Sequence, residues 1–260
     1  MQNVNGQAIL QARGIVKHFG HVQALREVDF DACAGEVTAL IGDNGKSTLV
    51  KILSGVYPAN AGSILLDGRE MAFSSPSDAR DQGIETVYQD LSVAPDLSPA
   101  ANMFMGREKL RPGFWGKLGF LDNSSMRSDS AAAFQRLKVN LKDMDSPVAS
   151  LSGGQRQSVA ICRSMMWANR VVFMDEPTAA LGVVQTERTL ELIRRVRDTG
   201  VAIVLISHNM PDVLAVADTI EVLRLGRRVA RLRNHDVTVQ DLVGAMTGAL
   251  DTAEEQGAAA

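Results

Sequence analysis

The feature that most constrains the fold is the apolar run 171–174, which ends in the adjacent acids Asp175 and Glu176. Four consecutive apolar residues are typical of a strand that is buried on both faces of a parallel sheet. Such a strand delivers the residues that follow it to the carboxyl edge of the sheet, where open α/β folds bind their ligands. The sequence therefore predicts a ligand site around these two acids.

The composition limits the domain count and the classes of partner. A chain of 260 residues fits one large α/β domain, or a core domain with a smaller insertion. A formal net charge of −3 gives no bulk attraction to nucleic acid, so no nucleic-acid partner is predicted. The distant cysteines Cys33 and Cys162 have no metal-type spacing and suit packing roles in a reducing compartment. Residues 1–11 lack the features of a secretory signal, and no apolar run is long enough to span a membrane.

Short apolar runs alternate with amphipathic stretches, a pattern that predicts βα units around a mostly parallel sheet. Turn signals at Gly20, Gly35, Gly62 and Asp67-Gly68 favour an antiparallel edge sheet in the first third of the chain. The predicted strands are 8–13, 27–32, 37–41, 63–66, 84–88, 171–174, 201–206, 220–224 and 228–232.

The pattern changes between residues 90 and 150, where we interpret the chain as an inserted helical subdomain with helices at 98–106 and 124–141. Residues 8–89 and 151–248 then form the core of a single domain that spans 1–260. The aromatic residues Phe114, Trp115 and Phe120 of the insertion either pack beneath their loop or form a contact patch for a partner. The acidic and alanine-rich end, 251–260, is predicted to be disordered.

A phosphate-binding loop is predicted between the strand 37–41 and the helix 49–54. At such a loop the N–H groups of a helix N-terminus attract phosphate, so Lys46 would neutralise it and the Ser47 hydroxyl would ligate magnesium. The other interpretation is a glycine-rich turn without a ligand. The loop consists of Gly42, Asp43, Asn44, Gly45, Lys46, Ser47 and Thr48.

This loop is short. It has two residues between its glycines, where the G-x-x-x-x-G-K-[ST] pattern has four. The loss of two residues removes two N–H donors and displaces Lys46, and charge-assisted hydrogen bonds are the strong ones. We therefore expect the chain to bind ATP poorly as it stands.

The acids at 175 and 176 and two further residues supply candidate hydrolytic groups. Asp175 is placed to hold magnesium, usually through water, and Glu176 to polarise the attacking water as a general base. His208 follows the strand 201–206, so in a parallel sheet it reaches the same edge, where it can hydrogen-bond a terminal phosphate and the water. Gln89, which ends the strand 84–88, can reach the magnesium or the water in the same way. Without this context each would be an ordinary surface residue.

The segment Leu151-Ser152-Gly153-Gly154-Gln155 begins an amphipathic helix that runs to about Trp167. Serine is a good N-cap, and two glycines let N–H groups approach an anion at the positive end of the helix dipole. The chain's own phosphate loop is expected to face its own catalytic acids. We therefore expect a second subunit to supply the triphosphate for this helix.

These motifs resemble the ATP-binding subunit of ABC transporters. The segment 151–155 matches the family signature, and 175–178 and Ser207-His208 match the hydrolytic motifs. The resemblance implies an α/β fold with a P-loop NTPase core, a mostly parallel sheet, an antiparallel β edge sheet and an inserted helical subdomain. It also implies ATP and Mg²⁺ as cofactors, and a head-to-tail homodimer with ATP between one phosphate loop and the other signature. Phe19 would stack on adenine, and Gln89 would sense the membrane partner.

Within the family, the stretches 83–89, 102–108, 178–182 and 206–211 look like monosaccharide importers of the ribose, xylose and fructose group. This implies a separate membrane permease, an indirect periplasmic sugar-binding protein, and a peripheral location on the cytoplasmic face of the inner membrane. Members of the family carry an additional Ala-Gly pair after the position of Gly45. Gly182 stands where most ABC proteins have aspartate, although this sugar group often has glycine.

The leading hypothesis is an ATPase subunit that powers monosaccharide import through a separate permease. One alternative is a soluble ABC ATPase of translation or DNA repair, which would need a basic nucleic-acid surface or long coiled coils that the sequence does not show. The other alternative is a module that docks on the permease but whose ATP binding is impaired by the short loop. The intact Glu176 and His208 speak against a long-standing loss of chemistry.

Overall fold

The computed structural model describes residues 8–141, 143–179, 181–235 and 237–249, so the end predicted to be disordered, 251–260, lies outside the described residues. The chain forms two compact units. The first contains Met1–Thr86, Ala168–Glu176 and Val196–Ala260, and the second contains Val87–Trp167 and Pro177–Arg195. The division that we expect from the sequence, with an insertion at 90–150, remains a proposal.

The strands are β1 (Ala8–Phe19), β2 (Val22–Cys33), β3 (Val37–Gly42), β4 (Ala61–Leu66), β5 (Arg69–Met71), β6 (Ile84–Val87), β7 (Val171–Asp175), β8 (Ala202–Ile206), β9 (Thr219–Arg224) and β10 (Arg227–Arg233). The helices are α1 (Lys46–Leu53), α2 (Pro76–Asp81), α3 (Pro99–Met103), α4 (Phe114–Lys117), α5 (Asn123–Arg136), α6 (Gly153–Trp167), α7 (Val183–Arg197), α8 (Met210–Val216) and α9 (Val239–Thr247), with a 3₁₀ turn at Val148–Ser150. Within the described residues, no helix is long and apolar enough to cross a membrane.

The main sheet of the described chain has six strands in the order β10-β9-β3-β8-β7-β6. β3 runs parallel to its neighbours β8 and β9, and β7 runs parallel to β8. At the edge of the sheet, β10 pairs antiparallel with β9. Every residue of β8 is buried, as are the first five of β3, because both faces of a parallel sheet are covered. This arrangement confirms the predicted fold class.

A second sheet, in the order β2-β1-β4-β5, is antiparallel and confirms the predicted edge sheet. The predictions for β1 and β2 were too short, because both strands continue past irregular positions. Gly14 and Glu27 have positive φ of 58° and 55°, and the Gly14 N–H donates to Asp29 Oδ1 at 2.8 Å. A bulge of this kind bends a strand without ending its pairing. The predicted turn at Asp67 and Gly68, both with positive φ, leads into β5, a strand that was not predicted.

The core of the first unit lies between the two sheets and α1. Leu49, Ile52 and Leu53 of α1 recur at helical spacing and pack with Leu40 and Phe173 of the main sheet. This packing fixes the start of α1 directly beyond the carboxyl end of β3. Both cysteines are buried, as predicted.

The second unit is mainly helical, and its helices are shorter than predicted. The helix predicted at 124–141 ends at Arg136, because Lys138 has φ 54° and the Val139 N–H donates to Phe134 O at 2.9 Å. This left-handed turn closes the helix without a glycine, so the sequence carries no obvious stop signal. The helix predicted at 98–106 ends at Met103, and α4 is a short helix within what we predicted to be a loop.

Candidate functional site

Three parallel strands of the first unit deliver the candidate site to one edge of the main sheet. Leu40 of β3 pairs with Ile206 of β8, and Ile206 pairs with Asp175 of β7. The residues that follow these positions therefore emerge at the same level. They are the phosphate loop after β3, Ser207 and His208 after β8, and Glu176 after β7.

Glu176 and His208 are in direct contact at this edge. Glu176 Oε1 lies 2.7 Å from His208 Nδ1, and the Ser207 hydroxyl donates to Glu176 Oε2 at 3.5 Å. The Glu176 side chain is 15% exposed and that of His208 is 78% exposed. Glu176 has a positive φ of 49°, and its N–H donates to Ile206 O at 2.9 Å, which holds it in this strained conformation. The carboxylate is therefore oriented by β8, and the imidazole is open to a ligand.

Asp175 lies beside this pair and near two lysines. Burial, with the Glu176 charge, raises the pKa of Asp175, while the charges of Lys51 and Lys46 lower it. A half-buried carboxylate between cations and a second acid is a suitable ligand for a hard divalent cation. Lys51 was not among the predicted site residues, although it lies one helical turn after Ser47.

The phosphate loop makes a tight turn against β9. The Asp43 N–H donates to Leu223 O at 3.3 Å, and Asp43 Oδ1 accepts from Leu225 N at 3.2 Å. Gly42 has φ 123°, and a Cβ there would lie 1.8 Å from Leu223 O. Gly45 has φ 102°, and a Cβ there would lie 2.9 Å from Leu25 Cδ2 and 3.2 Å from Ala24 O. The positive φ therefore favours glycine at both positions, and close backbone approach also requires it at Gly42.

Lys46 is the first residue of α1, and its amine points back into its own loop. It donates to Gly42 O and, at 3.3 Å, to Asp43 O. No described side chain caps the start of α1 and its first turn has no acid, whereas α2, α3, α5, α8 and α9 all have capping side chains. A cation and uncapped N–H groups at the positive end of a helix favour a bound anion.

Phe19, the predicted adenine platform, ends β1 and is exposed. Its ring lies 5.4 Å from that of Tyr57 in an edge-to-face arrangement, and Lys17 Nζ lies 5.3 Å from its centroid. Lys51 Nζ lies 5.7 Å from the Tyr57 ring, which connects this aromatic pair to the acid edge. Tyr57 was missed in the sequence analysis, since an isolated tyrosine before proline carries no motif.

The signature residues lie in the second unit, at the start of α6. The Ser152 hydroxyl accepts from Gln155 N at 3.4 Å, and Gln155 Oε1 accepts from Ser152 N at 3.0 Å, which is a reciprocal cap. Ser152, Gly154 and Gln155 line a cavity of about 560 Å³. The same cavity is lined by Lys138, Arg188 and Arg195, with Glu191 as the acidic residue. The cavity therefore has a net positive lining that suits an anion.

Gln89 also lies in the second unit, in an exposed turn after β6. The Leu91 N–H donates to Tyr88 O at 2.9 Å, and Leu91 and Ser92 both have positive φ. The structure thus brings Lys46, Asp175, Glu176 and His208 to one edge of the first unit, and places Gln89 and the signature in the second. The roles assigned to these residues remain proposals.

The sequence profile of ABC transporters matches residues 25–179, a range that contains the phosphate loop, the signature and the acid pair. The chain belongs to the ABC transporter family. It is an ATP-binding subunit of that family.

Curated relatives match along nearly the whole chain. The fructose import ATP-binding protein FrcA of Rhizobium meliloti is 48% identical, with 97% of this chain and 99% of that protein covered. The xylose/arabinose import ATP-binding protein XylG of Sulfolobus acidocaldarius is 39% identical, with 92% and 94% covered. The ribose import ATP-binding protein RbsA of Yersinia pestis bv. Antiqua is 40% identical over 94% of this chain, which spans 47% of that protein.

Solved structures agree on the fold. A nucleotide-free ATP-binding cassette from an ABC transporter has a TM-score of 0.75 at 24% identity, with 93% of this chain and 96% of that chain covered. The ADP conformation of an ATP-binding cassette has a TM-score of 0.74 at 23% identity, with 93% and 95% covered. At this identity the likeness confirms the cassette fold alone.

Proposed function

We propose that this chain hydrolyses ATP to drive the import of a monosaccharide through a separate membrane permease. One observation supports the proposal most directly. The start of α1, which has no capping side chain and carries Lys46, lies at the same sheet edge as the contact between Glu176 and His208. The near full-length similarity to the fructose import ATP-binding protein supports the class of sugar.

In this proposal each residue of the edge has a distinct task. Lys46 and the N–H groups of α1 bind phosphate, and Phe19 stacks on the adenine. Glu176 accepts a proton from the attacking water, and His208 hydrogen-bonds the terminal phosphate and holds Glu176 in place. The carboxylate and the imidazole are already 2.7 Å apart, so no rearrangement is needed to form that pair.

We propose Mg²⁺ as the cation, held by the Ser47 hydroxyl and, through water, by Asp175. In the described residues, no cluster of three or more histidine, cysteine or acidic side chains could hold a metal by itself. Mg²⁺ typically uses one or two protein oxygens and takes its other ligands from phosphate and water. The donor set therefore fits a nucleotide-bound magnesium.

The signature cavity supports a head-to-tail homodimer. Ser152, Gly153, Gly154 and Gln155 would contact the terminal phosphate of the ATP that is held by the partner's phosphate loop. The positive lining of the cavity suits that charge. The permease would contact the turn at Gln89, with the sugar-binding protein acting indirectly on the other side of the membrane. The chain would then lie peripherally on the cytoplasmic face of the inner membrane.

Two measurements test this function. The purified chain should hydrolyse ATP, and E176Q should lower kcat by at least about 100-fold, the range expected for a lost general base. The chain should also restore fructose-dependent growth to Rhizobium meliloti from which FrcA has been deleted. Equal ATPase rates for the chain and E176Q would rule out the assigned base, and failed complementation by an active chain would show that it does not energise the fructose permease of that organism.

A second candidate function is a permease-docking module that binds ATP weakly. The observation that favours it is Lys46, whose amine is bonded to the carbonyls of Gly42 and Asp43 in its own short loop. The two candidate functions are distinguished by comparing the ATPase activity of this chain with that of a variant that has Ala-Gly inserted after Gly45. A large gain on insertion supports the second candidate, and equal rates exclude it.

A further inference from the structure

Residues 109–121 of the second unit form a small loop structure that we call the aromatic hairpin. An antiparallel bridge between Leu110 and Leu121 closes its base. The Arg111 N–H donates to Phe120 O at 2.9 Å, and the Phe120 N–H donates to Trp115 O at 3.1 Å. The middle of the hairpin is the short helix α4. The segment is therefore held in a defined conformation by its own backbone hydrogen bonds.

The hairpin exposes a contiguous set of large apolar side chains. Phe114 is 69% exposed and Trp115 is 54% exposed. The Trp115 ring lies 6.1 Å from that of Phe114 and 5.2 Å from that of Phe120, both edge to face. The exposed apolar residues of the hairpin are Leu110, Phe114, Trp115, Leu118, Phe120 and Leu121. Single exposed apolar residues are ordinary, but a contiguous patch indicates a binding surface.

The charges of the hairpin have one sign. Residues 109–121 contain Lys109, Arg111 and Lys117 and no acid, although the whole chain has a net charge of −3. Lys109 forms an ion pair with Asp129. Neither Arg111 nor Lys117 forms an ion pair with any residue that the structure describes. Two uncompensated cations therefore border the exposed rings.

We propose that the aromatic hairpin inserts into the headgroup region of an anionic lipid bilayer. Tryptophan and other aromatic rings favour the membrane interface, and nearby lysine and arginine side chains gain energy from anionic headgroups. Lysine is depleted in protein–protein interfaces, whereas here Lys109 and Lys117 lie near the exposed rings in sequence, as in interfacial membrane segments. The inference goes beyond the proposed function, because it requires neither ATP nor a permease.

Vesicle binding of the full chain tests the proposal. The chain should co-sediment with phosphatidylcholine vesicles that contain phosphatidylglycerol, and much less with phosphatidylcholine alone. R111Q/K117Q should weaken partitioning into anionic vesicles by roughly 10- to 30-fold. Replacing Phe114, Trp115 and Phe120 by serine should abolish binding to anionic vesicles.

Fluorescence quenching locates the hairpin in the bilayer. In a W167F background Trp115 is the single tryptophan, so its fluorescence should be quenched by lipids brominated near the headgroup.

A matched control keeps the test specific. V239S/V243S removes two exposed apolar side chains from α9 and should leave vesicle binding unchanged. Thermal unfolding followed by circular dichroism checks that each variant is folded. Absence of vesicle binding, or binding that the triple serine variant retains, would overturn the proposal. So would capture of a detergent-solubilised permease by the hairpin without any vesicle binding, since the patch would then be a protein contact. ATPase activity is a separate readout, so none of these results bears on the hydrolytic function.

Discussion

Arg163 donates a hydrogen bond to the carbonyl oxygen of Ser92 at 2.6 Å. A second one reaches Leu91 O at 3.3 Å. Arg163 lies on α6, the helix that begins at the signature, and both carbonyls belong to the turn that follows Gln89. Leu91 and Ser92 have positive φ of 61° and 45°, conformations that persist only where the surroundings hold them. The guanidinium therefore joins the signature helix to the turn of Gln89 within the second unit.

We expect R163K to loosen this turn, because lysine presents a point charge and lacks the planar fork that serves two carbonyls. Loss of a charge-assisted hydrogen bond costs about 1.5–3 kcal/mol. Hydrogen–deuterium exchange at residues 90–93 should become about 10- to 100-fold faster. R136K, at the exposed end of α5, is the control and should leave this exchange unchanged. Unaltered exchange in R163K would show that other contacts hold the turn.

A double-mutant cycle should show that Glu176 and His208 act as one unit. In the form with Ala-Gly inserted after Gly45, E176Q and H208A should each lower kcat by about 100- to 10,000-fold, the range for acid–base groups. Because the two side chains are 2.7 Å apart, the double variant should lose little more than the worse single variant. Additive losses would mean that the two residues work independently.

The second candidate function, in which the short loop binds ATP weakly, predicts an unusual response to mutation at Lys46. Its amine is already bonded to Gly42 O and Asp43 O, so K46A should change the affinity for a fluorescent ATP analogue by less than about threefold. Insertion of Ala-Gly after Gly45 should tighten binding by about 100-fold, since two donors and the lysine become available. In the inserted form K46A should then weaken binding strongly. A large effect of K46A in the short loop would contradict this interpretation.

Glu221 should make the stability of the first unit depend on pH. It is fully buried on β9, with Arg231 Nε at 3.4 Å and Arg228 Nη1 at 3.5 Å. Burial raises the pKa of Glu221 from 4.5 to about 7, against the opposing charges of Arg228 and Arg231. Between these values the native state binds the proton and the unfolded state has lost it, so stability falls as pH rises from about 4.5 to about 7.

The variant E221Q should lack this contribution. Relative to wild type, its free energy of unfolding should rise by up to about 3 kcal/mol between the two ends of that window. Urea unfolding at several pH values measures the difference. E36Q is the control, because Glu36 immediately precedes β3 and pairs with the exposed Arg233. A constant difference between E221Q and wild type would show that burial does not raise the pKa of Glu221 above its value in the unfolded chain.

The sequence predicted the elements whose signals are local. The fully apolar run before Asp175 is a buried strand, and the serine at 152 caps α6. Both features can be predicted from a few consecutive residues, the strand from its run of apolar residues and the cap from the position of the serine before the helix. The length of β1, the end of α5 at Lys138 and the strand β5 did not follow, since they depend on bulges and left-handed turns that pairing partners stabilise.

By itself, the sequence determined the fold class and the order of the motifs, and it predicted that the phosphate loop, Asp175 and Glu176, and His208 follow strands that end at one edge of the sheet. Strand burial and chain direction are sufficient for those predictions, but they did not place Gln89. Tertiary structure alone decided that Glu176 touches His208, that Lys46 bonds to its own loop, and that Tyr57 supports Phe19. Those contacts join residues that are distant in sequence or depend on the exact path of a shortened loop. Strand register and packing fix such distances, and no local pattern encodes them.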